Sequence, residues 1–598
     1  MFSQKKLVGL VILGLVLPML AACGGDTATP VPPTSPAAQA TATTGEVGEA
    51  TEGPAEATKA PAAEATATTG EAMPSSGEMF SWRAFAEPKA LDPALMEETL
   101  SIDIGQNLYD ALVEFDAETQ ELKPALAAAL PEVSADGTVY TFKLRPDAKF
   151  SNGDPVTSAD VLYSWNRAAT LPEAPYADYV MGDIKGYSEV RAAVVSTDTA
   201  VTKPTTVPGF EAPDASTVKV TLNNPSAYFL SQMTVWTFYV VNQKQVAKGG
   251  EWFVGPGGGT GAYTLAEWKH DQSLTFKVNP NYWGEKATVD VLVPIIVDTN
   301  TAQAQFEQGT LGALDGPSPA DLDRIKKDAK LGKQLFSVGQ ARAVWIGLNM
   351  LKGPFSPQND DKALKLRQAI AYSIDRQLLV DLALSGAAQP LTNFMPEGEP
   401  GFKKVDVYPF SPEKAKALLA EVGHPNCQGL DLVYTYRQRD AEQRVAEQLQ
   451  AQWKENLGCD IKVEGVEWTT MLAARQEHEY IMFYDSWGHD YPDPQNWFFP
   501  KLHSSQIQGI GTGIGNDPGF SDPEFDRLVE EGNKMADPAK VQERYALYQQ
   551  AEERMLKTAA EIPLYQATRY WEVNTDKWTG YAANNSFVYP FRMIKPAK

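Results

Sequence analysis

"LDLVYTYRQRDAEQRVAEQLQAQWKENLGCDIKVEGV", Leu430 to Val466, is the stretch from which the fold can be read. Its first seven residues are rich in branched and aromatic side chains and predict a strand. Asp440 then suits a helix cap, Val445, Leu449, Trp453 and Leu457 recur every four residues, and Gly458 suits a helix stop. Extended structure resumes at Cys459. A strand, helix, strand unit with so long a crossover predicts parallel strands and a right-handed connection, hence an α/β lobe.

The neighbouring segments carry similar punctuation. In "SPEKAKALLAEVG", Ser411 suits the N-cap, Pro412 the first turn and Gly423 the stop, with Ala415, Leu418, Leu419 and Val422 on the buried face. "LRQAIAYSIDRQLLVDLALSG" predicts one further helix with Leu366, Ile370, Ile374 and Leu378 along a stripe. Between residues 133 and 222 the texture changes to short runs such as "TVYTFKLR" and "STVKVTL" beside Asp-Gly or Pro-Asp turns, which predicts a separate, more β-rich domain. No repeat of fixed period is found.

At the N-terminus, Lys5 and Lys6 precede an apolar run from Leu7 to Leu20, followed by "LAAC", Leu20 to Cys23. The run is shorter than the roughly 20 apolar residues of a membrane span and reads as a secretory signal. "LAAC" resembles the processing site of bacterial lipoproteins, which implies removal of residues 1–22 and lipid attachment to Cys23; an ordinary signal peptide is the alternative. From there to residue 77 the chain is Ala, Thr, Glu, Pro and Gly, too poor in apolar surface to offset ordering entropy, and is read as a tether with a reach of roughly 40 Å. The remaining residues exceed what one core serves, so two or three domains are expected. With 76 acidic and 52 basic residues the formal charge is −24, which argues against nucleic acid and against a basic membrane-binding face. Once Cys23 is set aside, Cys427 and Cys459 form an even pair in an exported chain, suggesting a disulfide; two buried thiols are the alternative.

Catalytic signatures are missing. "GPGGGTGAY", Gly255 to Tyr263, lacks the lysine of a phosphate-binding loop, the five histidines include no metalloprotease or zinc spacing, and there is no nucleophile elbow. The most chemically loaded stretch is "SWGHDYPDPQNW", Ser486 to Trp497. Asp490 and Asp493 in it could serve a glycosidase as a carboxylate pair, but that spacing in a proline-rich loop is commonplace.

Several segments resemble the extracellular solute-binding proteins of peptide/nickel-type ABC importers, the family 5 group of oligopeptide- and dipeptide-binding lipoproteins. "EPKALDPALMEETLSIDIGQNLYDALVEFDAETQELKPALAAALPEVSADGTVYTFKLRPDAKFSNGDPVTSADVLYSWNRA", Glu87 to Ala168, is similar to that family's N-terminal signature, and "GTGAYTLAEW", "NPNYWG", "LRQAIAYSIDRQLLV" and "DYPDP" follow in the family's order. Leu171 to Pro213 is the least typical part. The resemblance implies a two-lobed periplasmic-binding-protein clamp (α/β, type II, cluster C-like) with an additional β-rich domain. Mapped here, lobe I is 78–122, 250–338 and 560–598, domain II is 123–249, and lobe III is 339–559.

The resemblance further implies that Asp490 pairs with a ligand's α-ammonium group while the backbone of Trp487, Gly488 and His489, with Tyr491 beyond, runs along an extended peptide; a turn cap before Pro492 is the alternative role for Asp490. It places Glu97, Glu98 and Thr99 on the cleft rim, Tyr176 or Tyr179 near the hinge side and Tyr565 opposite. Trp487 and Trp497 are candidates for side-chain pockets or for core anchors. The expected function is capture of extracellular peptides without chemistry and their delivery to a permease with ATPase subunits, by a monomer held to the membrane through Cys23, with no cofactor, metal or nucleic acid. Oligosaccharides, a nickel complex, or a sensor role using the same clamp are the alternatives.

Overall fold

The strand, helix, strand unit forms as Val433–Arg437, Asp440–Leu457 and Lys462–Val466, its strands parallel from Val433 opposite Lys462 to Arg437 opposite Val466. Val445, Leu449, Trp453 and Leu457 are buried, and Gly458 ends the helix in the left-handed region at φ 74°. One detail differs from expectation. Arg439 takes the cap position and Asp440 is the first helical residue, where its charge complements the positive helix end instead of bonding an amide. Cys427 and Cys459 are joined as a disulfide, Cα atoms 5.2 Å apart, tying the segment before the first strand to the residue after the helix.

This computed structural model describes residues 79–317, 319–507, 515–581 and 590–598. The signal, Cys23 and the tether lie outside the described residues. The unit above belongs to a seven-stranded sheet ordered Ala313–Asp315, Glu561–Val573, Leu335–Leu348, Met482–Gly488, Val433–Arg437, Lys462–Val466, with Ala388–Pro390 alongside Glu561–Val573. A four-stranded sheet of Phe80–Ser81, Val291–Pro294, Ser273–Val278 and Tyr263–Lys269 forms the other lobe's frame, joined to the first through a bridge from Trp82 to Ala313. The two lobes are connected by the long antiparallel strands Leu335–Leu348 and Glu561–Val573, whose register shifts between Gly339 and Ala343. The mapped boundary at 338/339 thus falls inside a continuous strand, next to that shift.

Residues 123–249 carry their own antiparallel sheet, ordered Glu132–Val133, Val139–Lys143, Thr217–Thr221, Phe210–Asp214, with the helix Ser158–Thr170 upon it. Trp165 of that helix is fully buried against Phe210 and Phe238. The atypical stretch after Leu171 forms two short helices, Ala177–Met181 and Tyr187–Val195.

The helix expected through Leu366 to Leu378 is in fact two, Asp361–Tyr372 and Arg376–Ala383. Asp375 breaks it. Its carboxylate accepts from the Leu378 backbone N–H at 3.0 Å, capping the second helix, so Leu378 leaves the buried stripe and is exposed.

Candidate functional site

Met482–Gly488 is held on one edge along its full length, from Leu348 opposite Met482 to Arg342 opposite Gly488. Its other edge pairs with Val433–Arg437 only at Met482 and Phe483. From Tyr484 to Gly488 that edge has no partner strand among the described residues, and a cavity of about 670 Å³ opens beside it, walled by Ser486, Trp487, Gly488, His489 and Asp490 on this side. Both parallel strands end here, at Arg437 and Gly488, so the cavity lies at the carboxyl ends of the strands, where open α/β sheets place ligands.

After Gly488 the chain is pinned. The His489 N–H donates to the Ala341 carbonyl at 3.0 Å, and its ring turns from the cavity to meet Glu399 at 2.9 Å. The Asp490 N–H donates to Asn496 Oδ1 at 3.2 Å. Asp490 Oδ2 is sealed from solvent yet has no hydrogen-bond donor. Burial pushes this carboxyl up to about 7, against the pull of His489, the Tyr179 hydroxyl and Arg342.

Other acids nearby are balanced by the protein itself. Asp493 receives both guanidinium nitrogens of Arg544, at 2.8 and 2.6 Å, and both residues are buried. Asp485 is enclosed by Arg475 at 2.5 Å and Lys501 at 3.0 Å, and Asp517 contacts the same two cations. With Asp493 committed to Arg544, Asp490 and Asp493 do not form the carboxylate pair a glycosidase needs.

A family model described as bacterial extracellular solute-binding proteins, family 5 Middle, matches residues 121–509. The chain belongs to this family. It is 29% identical over 493 residues to the periplasmic oligopeptide-binding protein OppA of Escherichia coli strain K12, covering 80% of this chain and 85% of that one. It is equally 29% identical, over 510 residues, to the heme-binding protein A of Haemophilus influenzae, covering 82% and 88%. Among solved structures, OppA of Listeria monocytogenes bound to peptide shares the fold with a TM-score of 0.65 at 25% identity, over 88% of this chain and all of that one (100%).

In this solute-binding clamp the cavity gathers Trp487, Gly488, His489, Asp490, Glu97, Glu98, Thr99 and Tyr176. Three of the expected contacts lie behind its wall. Tyr565 packs among Tyr434 and Tyr484 in the core of the second lobe, because it pairs with Val344 on an inner strand. Tyr491 is buried in the core built from residues 94–240, and Tyr179 stands next to it, ring centroids 6.3 Å apart. Glu98 faces the cavity but is occupied as a helix cap, accepting from Leu100 and Ser101 N–H groups at 2.7 and 2.9 Å. Glu97 is exposed and pairs with Lys89 at 3.1 Å. Trp497 is a core anchor, fully buried with its Nε1–H on Glu399 at 2.8 Å, whereas Trp487 lines the cavity and donates to Asn496 Oδ1 at 3.0 Å.

Sequence reasoning missed the cations. Arg342, Arg437, Arg439 and Arg475 line the cavity from the second lobe, and Glu97, Glu98, Asp110, Glu114 and Arg592 from the first. Arg437 is tied to Glu442 and lies over the rings of Trp468 and Tyr484, while Arg342 makes no ion pair among the described residues. The available signal was the position of Arg437 immediately after a predicted parallel strand. Among the described residues no group of three His, Cys, Asp or Glu side chains is placed to hold a metal ion.

Proposed function

We propose that this protein captures short extracellular peptides and hands them to an ABC permease with its ATPase subunits. One observation carries the reading: an unpaired strand edge, Tyr484 to Gly488, ends at a buried carboxyl oxygen that lacks a donor. An extended peptide satisfies both needs. Its main chain adds to the edge irrespective of sequence, and its α-ammonium group supplies the opposite charge and the donor that Asp490 Oδ2 lacks. Arg342 and Arg439 of the second lobe, which are in no ion pair among the described residues, suit the ligand's carboxylate. Membership in the family leaves the ligand class open, since relatives are named for oligopeptides and for heme; the peptide is read from the site. We further read the protein as a binder without chemistry, exported, lipid-anchored through Cys23 and acting as a monomer.

The test is calorimetry on protein freed of copurified ligand by unfolding and refolding, with a mixed pool of short peptides and the same pool N-acetylated. Binding that acetylation abolishes is the expected result. If neither pool binds, the peptide reading fails and oligosaccharides, for which Trp487 in the cavity wall is an aromatic contact, take its place.

A further inference from the structure

Around the Asp490 carboxyl a small polar network joins two parts of the chain that are 317 residues apart. Its centre is Asn496, fully buried. The Asn496 Oδ1 accepts from Trp487 Nε1 at 3.0 Å and from the Asp490 backbone N–H at 3.2 Å, and its Nδ2 donates to the Tyr179 hydroxyl at 2.5 Å. The indole and backbone N–H are donors only, so the amide has one admissible orientation and the phenol oxygen must be its acceptor. The Tyr179 proton is therefore left for another group. Two acceptors stand beside it: the Asp490 carboxyl, and the Tyr491 hydroxyl, which donates to Gln495 Oε1 at 2.5 Å, accepts from Gln232 Nε2 at 3.3 Å and keeps a second lone pair. Asp490 is the nearby acceptor that is short of donors, and hydrogen bonding from Tyr179 favours its ionised form.

We propose that Tyr179 and Asn496 are positioning residues for Asp490: Asn496 orients the Tyr179 phenol, whose proton holds the carboxylate where a ligand's ammonium group meets it. The inference rests on the reading of Asp490 as the ammonium anchor and adds a condition to it. Tyr179 comes from the helix Ala177–Met181 of the additional domain, whereas Asp490 and Asn496 come from the loop after Met482–Gly488. The anchor is thus complete only while those two parts are in contact, which makes ammonium capture sensitive to how the clamp is assembled.

Tyr179→Phe keeps the ring and its contacts with Tyr176 and Tyr491 and deletes only the hydroxyl. Calorimetric titration with short peptides should show binding roughly tenfold weaker at neutral pH, the scale of one hydrogen bond to a charged group. The pH at which binding reaches half its plateau should move upward. Asn496→Ala should shift it the same way, and the double variant should add little to it, since both act through one hydrogen bond. The other groups facing Asp490 are unchanged in Y179F: His489 and Tyr491 from its own loop, Arg342 from the long strand, and Tyr176, with Glu97 behind it, from the opposite wall.

A second readout needs no ligand. Burial raises the Asp490 carboxyl in the folded chain, so the parent protein loses stability relative to D490N as pH rises from the ordinary carboxylate range to about 7. In the Y179F background that loss should extend to higher pH. Unchanged affinity and an unmoved midpoint in Y179F, with the D490N difference also unmoved, overturn the proposal. If the parent binds no peptide but the D490N difference moves in Y179F, the ammonium reading falls and the positioning role stands.

Discussion

Asp490 and Asp493 stand three residues apart in one proline-rich loop and have opposite surroundings. Asp493 is matched by Arg544 through two short bonds. Asp490 keeps an enclosed oxygen without a donor. Within this loop the carboxylate that holds the fold is neutralised by the chain that carries it, and the one we propose for a partner from outside is left short. On the proposed reading the same loop contains a structural joint and a receptor, distinguishable by their partners and not by their residue type.

The contrast can be broken in four ways. Asp493→Ala strands a buried guanidinium and should lower stability by about 3–5 kcal/mol in urea unfolding, with Asp490→Ala neutral or stabilising above pH 7; equal losses would erase the distinction. Asp490→Ala should in turn weaken peptide binding by roughly a few hundredfold, read by calorimetry, whereas a variant that retains wild-type affinity removes Asp490 from the site. The third concerns protons. Below about pH 7 the Asp490 carboxyl keeps its proton, which an arriving ammonium group must displace, so affinity should fall roughly tenfold per pH unit on the acid side and level off above it. A flat profile, with no proton released on binding, would mean the carboxyl is already ionised. Smallest is Glu97→Gln: this side chain is exposed beside Lys89, and its loss should change affinity by at most about threefold.

Local signals were legible where the chain's neighbours in sequence are its neighbours in space. The four-residue spacing from Val445 to Leu457 and the glycine after it carry the crossover helix entirely. Asp375 was equally readable as a cap, yet the apolar stripe through Leu366 and Ile370 masked the break. The loop that walls the cavity, Asp490 included, was singled out through family resemblance. The fate of its neighbours was not. Tyr491 and Trp497 look alike to any pattern of aromatic residues, but one fills a core made of residues 94–240 and the other packs on Trp345, contacts that no local periodicity encodes. The capping role of Glu98 was hidden for a simpler reason: glutamate is not among the favoured helix caps, so nothing marked it as engaged.

The unpaired edge from Tyr484 to Gly488 has a further consequence. Exposed strand edges recruit one another, and proteins usually blunt them with charge, bulges or a covering element. On the proposed reading this one cannot be blunted without destroying what it is for. It is instead recessed in a walled space of about 670 Å³, with Trp487, Tyr176 and the arginines around it. If, as proposed, the recess admits a short loose chain but not a folded neighbour, the enclosure that selects small cargo is also the protein's safeguard against stacking onto copies of itself in the crowded space outside the cell.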